Sequence, residues 1–123
     1  MQLRFALLAI AVLAIASPAR AAGDAKDGEA VFKKNCAVCH TTEEGKNKIG
    51  PTLHGIVGRH SATVANFNYS DAMKKADKTW DEKTLDTYLA NPKETVANTK
   101  MVFPGLKNEK DRQDIIAYLA TQK

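Results

Sequence analysis

Cys36-Ala37-Val38-Cys39-His40 restricts this chain more than any other stretch of it. Two thiols three positions apart, followed at once by an imidazole, form the arrangement that attaches a c-type haem. Each thiol adds to a vinyl group, and the adjacent histidine turns a ring nitrogen to the iron. Two other readings of the same residues fare worse. A closed zinc site takes four ligands, and outside the motif only His54 and His60 remain, at a spacing that fits no common finger. A thioredoxin-like redox pair sits in a chain that alternates strands and helices, and little here reads as strand. The cofactor specified is one haem c per chain, bound covalently through Cys36 and Cys39.

Residues 1–21 read as a secretory signal. Arg4 supplies a charged start, residues 5–16 are an uninterrupted apolar run, and Ala19-Arg20-Ala21 offers small residues for cleavage. The run is too short to span a bilayer comfortably, and polar Gly23-Asp24-Ala25-Lys26 follows it without a stop-transfer pattern. The expectation is an exported, periplasmic domain over residues 22–123, with no stable membrane insertion. A domain of this size buries only about two thirds of its unfolded surface. A covalently held porphyrin adds a large apolar body to that core, so the polypeptide is expected to fold poorly without it. The chain carries 18 basic and 14 acidic residues, net +4; Arg4 and Arg20 lie in the signal, so its removal halves the excess. So small a charge, with no basic tract interleaved with aromatics, does not argue for nucleic acid. It leaves room for a local patch that docks an acidic protein surface.

Periodicity predicts an all-α domain. A helix over 24–35, capped by Asp24, places Ala25, Gly28, Val31 and Phe32 on one face and delivers Cys36. Residues 41–68 read as a loop able to wrap a cofactor, with turns at Gly50-Pro51, Gly55 and Gly58. Ser70 caps a second helix over 71–76. A third spans 79–91: Thr79-Trp80-Asp81-Glu82 has the form of a capping box, Leu85, Tyr88 and Leu89 share a face, and Pro92 enforces the stop. The last helix runs over 109–121, with Asn108 as cap and Ile115, Tyr118 and Leu119 on its buried side. Its natural partner is the first helix, where Gly28 lets two backbones approach closely.

An iron held by His40 has a sixth position, and the chain offers Met73, Met101, His54 and His60 for it. Met73 falls in a predicted helix, where methionine is more often core filler. Surface or hydrogen-bonding roles are the default for the two histidines. Met101 stands apart, in a stretch between Pro92 and the last helix that has no helical pattern. A loop there can wrap the haem face opposite His40 and present a thioether; packing on the core is its alternative role. A neutral sulfur ligand favours ferrous iron. With both axial places filled, the iron has no vacant site for substrate chemistry.

Taken in order, Gly28, Phe32, the haem motif, Gly50-Pro51-Thr52-Leu53-His54-Gly55, Gly58-Arg59, Asn68-Tyr69-Ser70-Asp71-Ala72, Trp80, Tyr88-Leu89-Ala90-Asn91-Pro92-Lys93, Thr99-Lys100-Met101-Val102-Phe103 and Asp114-Ile115-Ile116-Ala117-Tyr118-Leu119 resemble the class I cytochromes c, and among them the mitochondrial-like bacterial members. The resemblance implies a small cytochrome c fold, with N- and C-terminal helices packed together and loops and short helices wrapping the haem. It implies His40 and Met101 as axial ligands and a one-electron carrier cycling Fe(II) and Fe(III), not an enzyme. It also implies that the Pro51 carbonyl accepts a hydrogen bond from His40. Arg59, Tyr69 and Trp80 then surround a buried haem propionate, while Thr99 and Tyr88 lie near the methionine sulfur.

The departures from the family pattern carry expectations of their own. Ala97-Asn98 stands where many members have Pro-Gly; Asn tolerates a left-handed turn, so the loop is expected to form but to open more easily. Met73 replaces the usual asparagine beside the haem, and Asn35 and Glu94 stand where lysine is frequent. Lys34, Lys48, Lys93, Lys100 and Lys107 remain as candidates for a positive ring that docks redox proteins. The resemblance suggests a membrane cytochrome bc complex, an oxidase, a photosynthetic reaction centre or a periplasmic reductase as partner of a monomer. The rival reading is a haem sensor or peroxidase-like protein with an open sixth site, kept alive by the altered 97–98 turn.

Overall fold

Asp24 starts the first helix by accepting hydrogen bonds from the backbone N–H groups of Lys26 (2.8 Å) and Asp27 (3.0 Å). Those donors have no partner inside a helix, so the cap satisfies both. From it α1 runs over Ala25–Asn35. The computed structural model describes residues 23–123, and the segment read as a secretory signal lies outside them. Four further helices follow: α2 (Asp71–Lys75), α3 (Glu82–Ala90), α4 (Pro92–Thr95) and α5 (Glu109–Ala120). Among the described residues the only β pairing is an isolated antiparallel bridge between His60 and Thr79. The domain is all-α, as the periodicity predicts.

Ser70 and Asn108 cap α2 and α5 as expected, accepting from the N–H groups of Met73 and Asp111, each at 3.1 Å. The start of α3 corrects the expectation of a capping box at Thr79. The cap is Asp81, whose carboxylate accepts from Thr84 N–H at 2.7 Å. Residues 79–80 are held extended instead: Thr79 bridges His60, and Trp80 N–H bonds the Arg59 carbonyl at 2.8 Å. A pairing between distant segments thus overrides a favourable local pattern. Pro92 ends α3 and also opens α4. Asn91 caps that short helix, and Pro92 at its first position loses nothing by lacking an N–H.

Helices α1 and α5 cross with their backbones in contact. A Cβ on Gly28 would lie 1.9 Å from the Asp114 carbonyl oxygen, so only glycine permits this approach. Beside the crossing, the Phe32 and Tyr118 rings pack at 5.6 Å, and Ile115 is fully buried. Asp114 ties the start of α1 to α5. Its carboxylate, 3 % exposed, accepts from Asp24 N–H at 2.8 Å and from the Lys110 ammonium at 2.6 Å. Lys110, and then the Asp24 N–H, hold that carboxyl below its ordinary value. Helix α3, with Leu85 and Tyr88 buried, packs on α5 and is clasped to it by an Arg112–Asp86 bond of 2.7 Å. Loops on either side of α2 and the strap between α4 and α5 close over this three-helix frame, and a cavity lies between.

Candidate haem site

The end of α1 sets the site. Cys36 N–H still bonds the Phe32 carbonyl at 2.8 Å, and the chain then turns so tightly that His40 N–H reaches the Cys36 carbonyl at 2.9 Å. This turn brings Cys36, Cys39 and His40 to the wall of a cavity of about 480 Å³. The two cysteines are not joined to each other. Burial, helped by Cys39, pushes the Cys36 thiol up to about 11. A Cys-x-x-Cys redox pair needs its attacking thiol lowered, so the shift runs against a thiol oxidoreductase.

The imidazole of His40 lies 2.8 Å, through Nδ1, from the Pro51 carbonyl oxygen. A carbonyl only accepts, so Nδ1 carries the proton and Nε2 keeps a free lone pair. Burial lowers the His40 pKa, and the Pro51 bond opposes that shift only in part. The ring is therefore neutral at pH 7, which is the ligating form. Gly50 leaves room for it: a Cβ there would fall 2.3 Å from His40 Cε1.

Met101 lines the same cavity. The Tyr88 hydroxyl donates to its Sδ at 3.8 Å, and its own N–H donates to Thr99 Oγ1 at 3.3 Å. Sulfur has two lone pairs, so one stays available to a metal. Burial raises the Tyr88 phenol, and a bond with Thr99 offsets part of that. The turn before Met101 is left-handed at Asn98, φ +62°, in keeping with the tolerance expected of asparagine.

Arg59, Tyr69 and Trp80 also face the cavity. The guanidinium donates to the carbonyls of His54 (2.9 Å) and Thr52 (3.1 Å). Burial lowers its pKa, Tyr69 opposes that shift in part, and among the described residues no carboxylate forms an ion pair with it. The Tyr69 oxygen accepts from Val64 N–H at 3.1 Å, which leaves its own proton to donate elsewhere. Most of the remaining wall is apolar, including Leu53, Ile56, Leu85, Phe103 and Leu119. Two thiols, a neutral imidazole, a thioether and a half-buried cation around an apolar cavity fit a haem that bears propionates.

The histidines weighed for the sixth position lie elsewhere. His54 Nδ1 is 3.2 Å from the Thr42 carbonyl, and His60 Nε2 is 2.9 Å from Asp77 Oδ1; neither lines the cavity. Met73 does line it, so beyond filling core it forms part of the cofactor wall. Gly50 is the functional residue that sequence reasoning missed. It was legible only as a turn, since nothing local shows that an imidazole packs on it. Three lysines of the expected ring are anchored: Lys48 to the Ala37 carbonyl and Lys107 to that of Ala90, both at 2.6 Å, and Lys100 to that of Asn68.

A small helical domain closed around a cavity that presents two thiols and an imidazole from one tight turn defines a c-type haem protein. Its sequence matches the profile of the Cytochrome c family over residues 25–123. It is 52% identical over 99 residues to a cytochrome c of Nigella damascena, covering 80% of this chain and 89% of that protein. To a cytochrome c2 of Rhodomicrobium vannielii it is 52% identical over 113 residues, covering 91% and 90%. Among solved structures, cytochrome cH from Methylobacterium extorquens superposes with a TM-score of 0.76 at 48% identity, covering 80% of this chain and 99% of that one. The chain belongs to the cytochrome c family. It binds haem c covalently through Cys36 and Cys39, and it is an electron carrier.

Proposed function

We propose that this chain carries single electrons in the periplasm, with the haem iron held between His40 and Met101. The haem supplies the Fe(II)/Fe(III) couple. Pro51 fixes the His40 tautomer, and Gly50 lets the ring sit against the backbone. The Met101 thioether, oriented by Tyr88 and Thr99, is a neutral ligand that favours ferrous iron. A buried propionate is costly unless paired, and Arg59, with the Tyr69 phenol and the Trp80 indole, offsets that cost. The apolar wall keeps water away from these charges.

The docking face is the rim of the cavity. Ile49 and Val102, exposed at 76% and 95%, border it, Val38 is 77% exposed in the haem turn, and the exposed lysines at positions 34, 48, 93 and 107 supply positive charge. An apolar centre with a cationic margin suits redox proteins with an acidic surface. A membrane bc complex, an oxidase, a reaction centre or a periplasmic reductase fits that description, and the charges speed encounter in a salt-dependent way. Export is supported by the match to cytochrome c2, which at 113 residues is longer than the span 23–123 and so reaches into the segment that reads as a signal. Among the described residues no helix is long and apolar enough to cross a membrane.

The observation that carries this reading is that His40 and Met101, each with a lone pair to give, wall one cavity. The test is the absorption spectrum of the ferric holoprotein. The expected result is the far-red band of iron bound to methionine sulfur, lost in Met101→Ala. A five-coordinate, high-spin wild type at neutral pH would instead favour the open-site sensor or peroxidase reading.

A further inference from the structure

We infer that Thr52 is a positioning residue whose buried hydroxyl aims the Arg59 guanidinium into the haem cavity; the inference rests on Arg59 serving the propionate. Thr52 does not itself line the cavity. With Ser61 and Asp114 it is one of three buried polar side chains among the described residues. A valine of the same shape would fill that space, so the hydroxyl is explained by what it bonds. It donates to the Glu43 carbonyl at 2.6 Å and accepts from the His54 N–H at 3.1 Å. The second bond, to the residue two places on, is a turn made by the side chain itself, and it fixes the course of residues 52–54. The same residues are laced to the stretch that follows His40. Leu53 N–H bonds the Thr41 carbonyl at 2.8 Å, and His54 Nδ1 lies 3.2 Å from that of Thr42. With Thr52 on Glu43, three successive carbonyls are held by three successive residues, and two of the links run through side chains.

Arg59 depends on this segment. Its fork donates to the carbonyls of Thr52 at 3.1 Å and His54 at 2.9 Å, the two that the hydroxyl turn sets in place. Its remaining N–H groups are left for the cavity whose wall it joins. Without the hydroxyl, the Glu43 carbonyl and the His54 N–H lose that partner, residues 52–54 lose their register, and the guanidinium loses its aim. A cation close to a propionate offsets a negative charge that otherwise favours ferric iron, so a loosened Arg59 lowers the reduction potential. The support of His40 is a separate arm. The Pro51 carbonyl that faces His40 Nδ1 and the Thr52 N–H belong to one peptide group, and that N–H donates to Asn47 Oδ1 at 3.0 Å. This bond uses the Thr52 backbone, so a change of its side chain leaves it in place.

Two readouts on the holoprotein test this: the reduction potential, and the rate at which phenylglyoxal modifies Arg59, mapped by mass. Arg112, held by Asp86 at 2.7 Å, serves as the reference arginine in the same sample. Thr52→Val keeps the shape and removes the hydroxyl. Its Arg59 is expected to react about fivefold faster, with Arg112 unchanged. Its midpoint potential is expected to fall, the ferric form gaining about threefold over the ferrous. Thr52→Ala removes the same hydroxyl with no second methyl to accommodate and carries the same predictions. Thr52→Ser, which keeps the hydroxyl, is expected to restore both values. Ile115→Val alters a fully buried side chain that does not line the cavity, and it is expected to move neither. The inference is overturned if either readout stays at the wild-type value in both variants that lack the hydroxyl. It is equally overturned if Thr52→Ser behaves as they do, or if Ile115→Val shifts the readouts as far. Arg59→Met is expected to lower the potential at least as much as Thr52→Val. A potential unchanged in Arg59→Met would instead remove Arg59 from the propionate, so the two failures are distinguishable.

Discussion

His40 is held by backbone on two sides, one that accepts its proton and one that lacks a side chain. Gly50→Ala would place a methyl carbon 2.3 Å from Cε1, and the ring cannot yield without leaving the Pro51 carbonyl. Overpacking of this kind costs about 1–3 kcal/mol, and the holoprotein is expected to lose that much in a guanidinium titration. Asp114 predicts a pH dependence. Its folded pKa is depressed below 3.8, so the unfolded chain binds the proton more readily. Its contribution is therefore complete above that value and is lost as pH falls through the lower, folded one. Lys110 is raised above 10.5, so its share is lost on the alkaline side as pH climbs past its folded value. Asp114→Asn keeps an acceptor for Asp24 N–H but ends the titration. Urea midpoints measured from neutral pH down to about pH 2 are expected to fall less steeply in this variant than in wild type. Asn98 shows how much a single residue type reveals. Its short amide tolerates φ +62°, and the turn was legible from that alone. Gly50 was not, because its partner lies across a loop.

Helices obeyed local rules wherever nothing distant competed. Asp24, Ser70 and Asn108 cap the helices that their sequences announce, because a cap needs only donors two or three residues away. Thr79 failed as a cap because its backbone is committed to His60, and Asp81 took the role. Gly28 was legible as a point of close approach, since a glycine on the apolar face of a helix gives up packing for proximity. Gly28→Ala is expected to force α1 from α5, for its Cβ would meet backbone at 1.9 Å rather than a movable side chain. The Phe32–Tyr118 and Ile115 packing would go with it. A loss of about 3 kcal/mol, at the upper end for overpacking, should appear as a lowered thermal midpoint of the holoprotein.

Between the frame of α1, α3 and α5 and the loops that close over it lies a cavity of about 480 Å³ with a largely apolar wall, which the protein's own side chains do not fill. The haem-free polypeptide is therefore expected to lose most of its helical circular dichroism and to regain it only with haem attached; a fully helical apoprotein would contradict this. The chemistry of the cofactor, its attachment through Cys36 and Cys39 and the run of helices were determined by the chain's own order, because thiol spacing, caps and periodicity act over a few residues. Tertiary structure decided what that order left open. Met73 and Met101 line the cavity while His54 and His60 do not, Gly50 backs the imidazole, and Lys100 reaches the 67–68 turn. All of these lie in loops without a repeating pattern. Their neighbours are set by how the helices stack and where the loops cross, over separations that no local signal encodes.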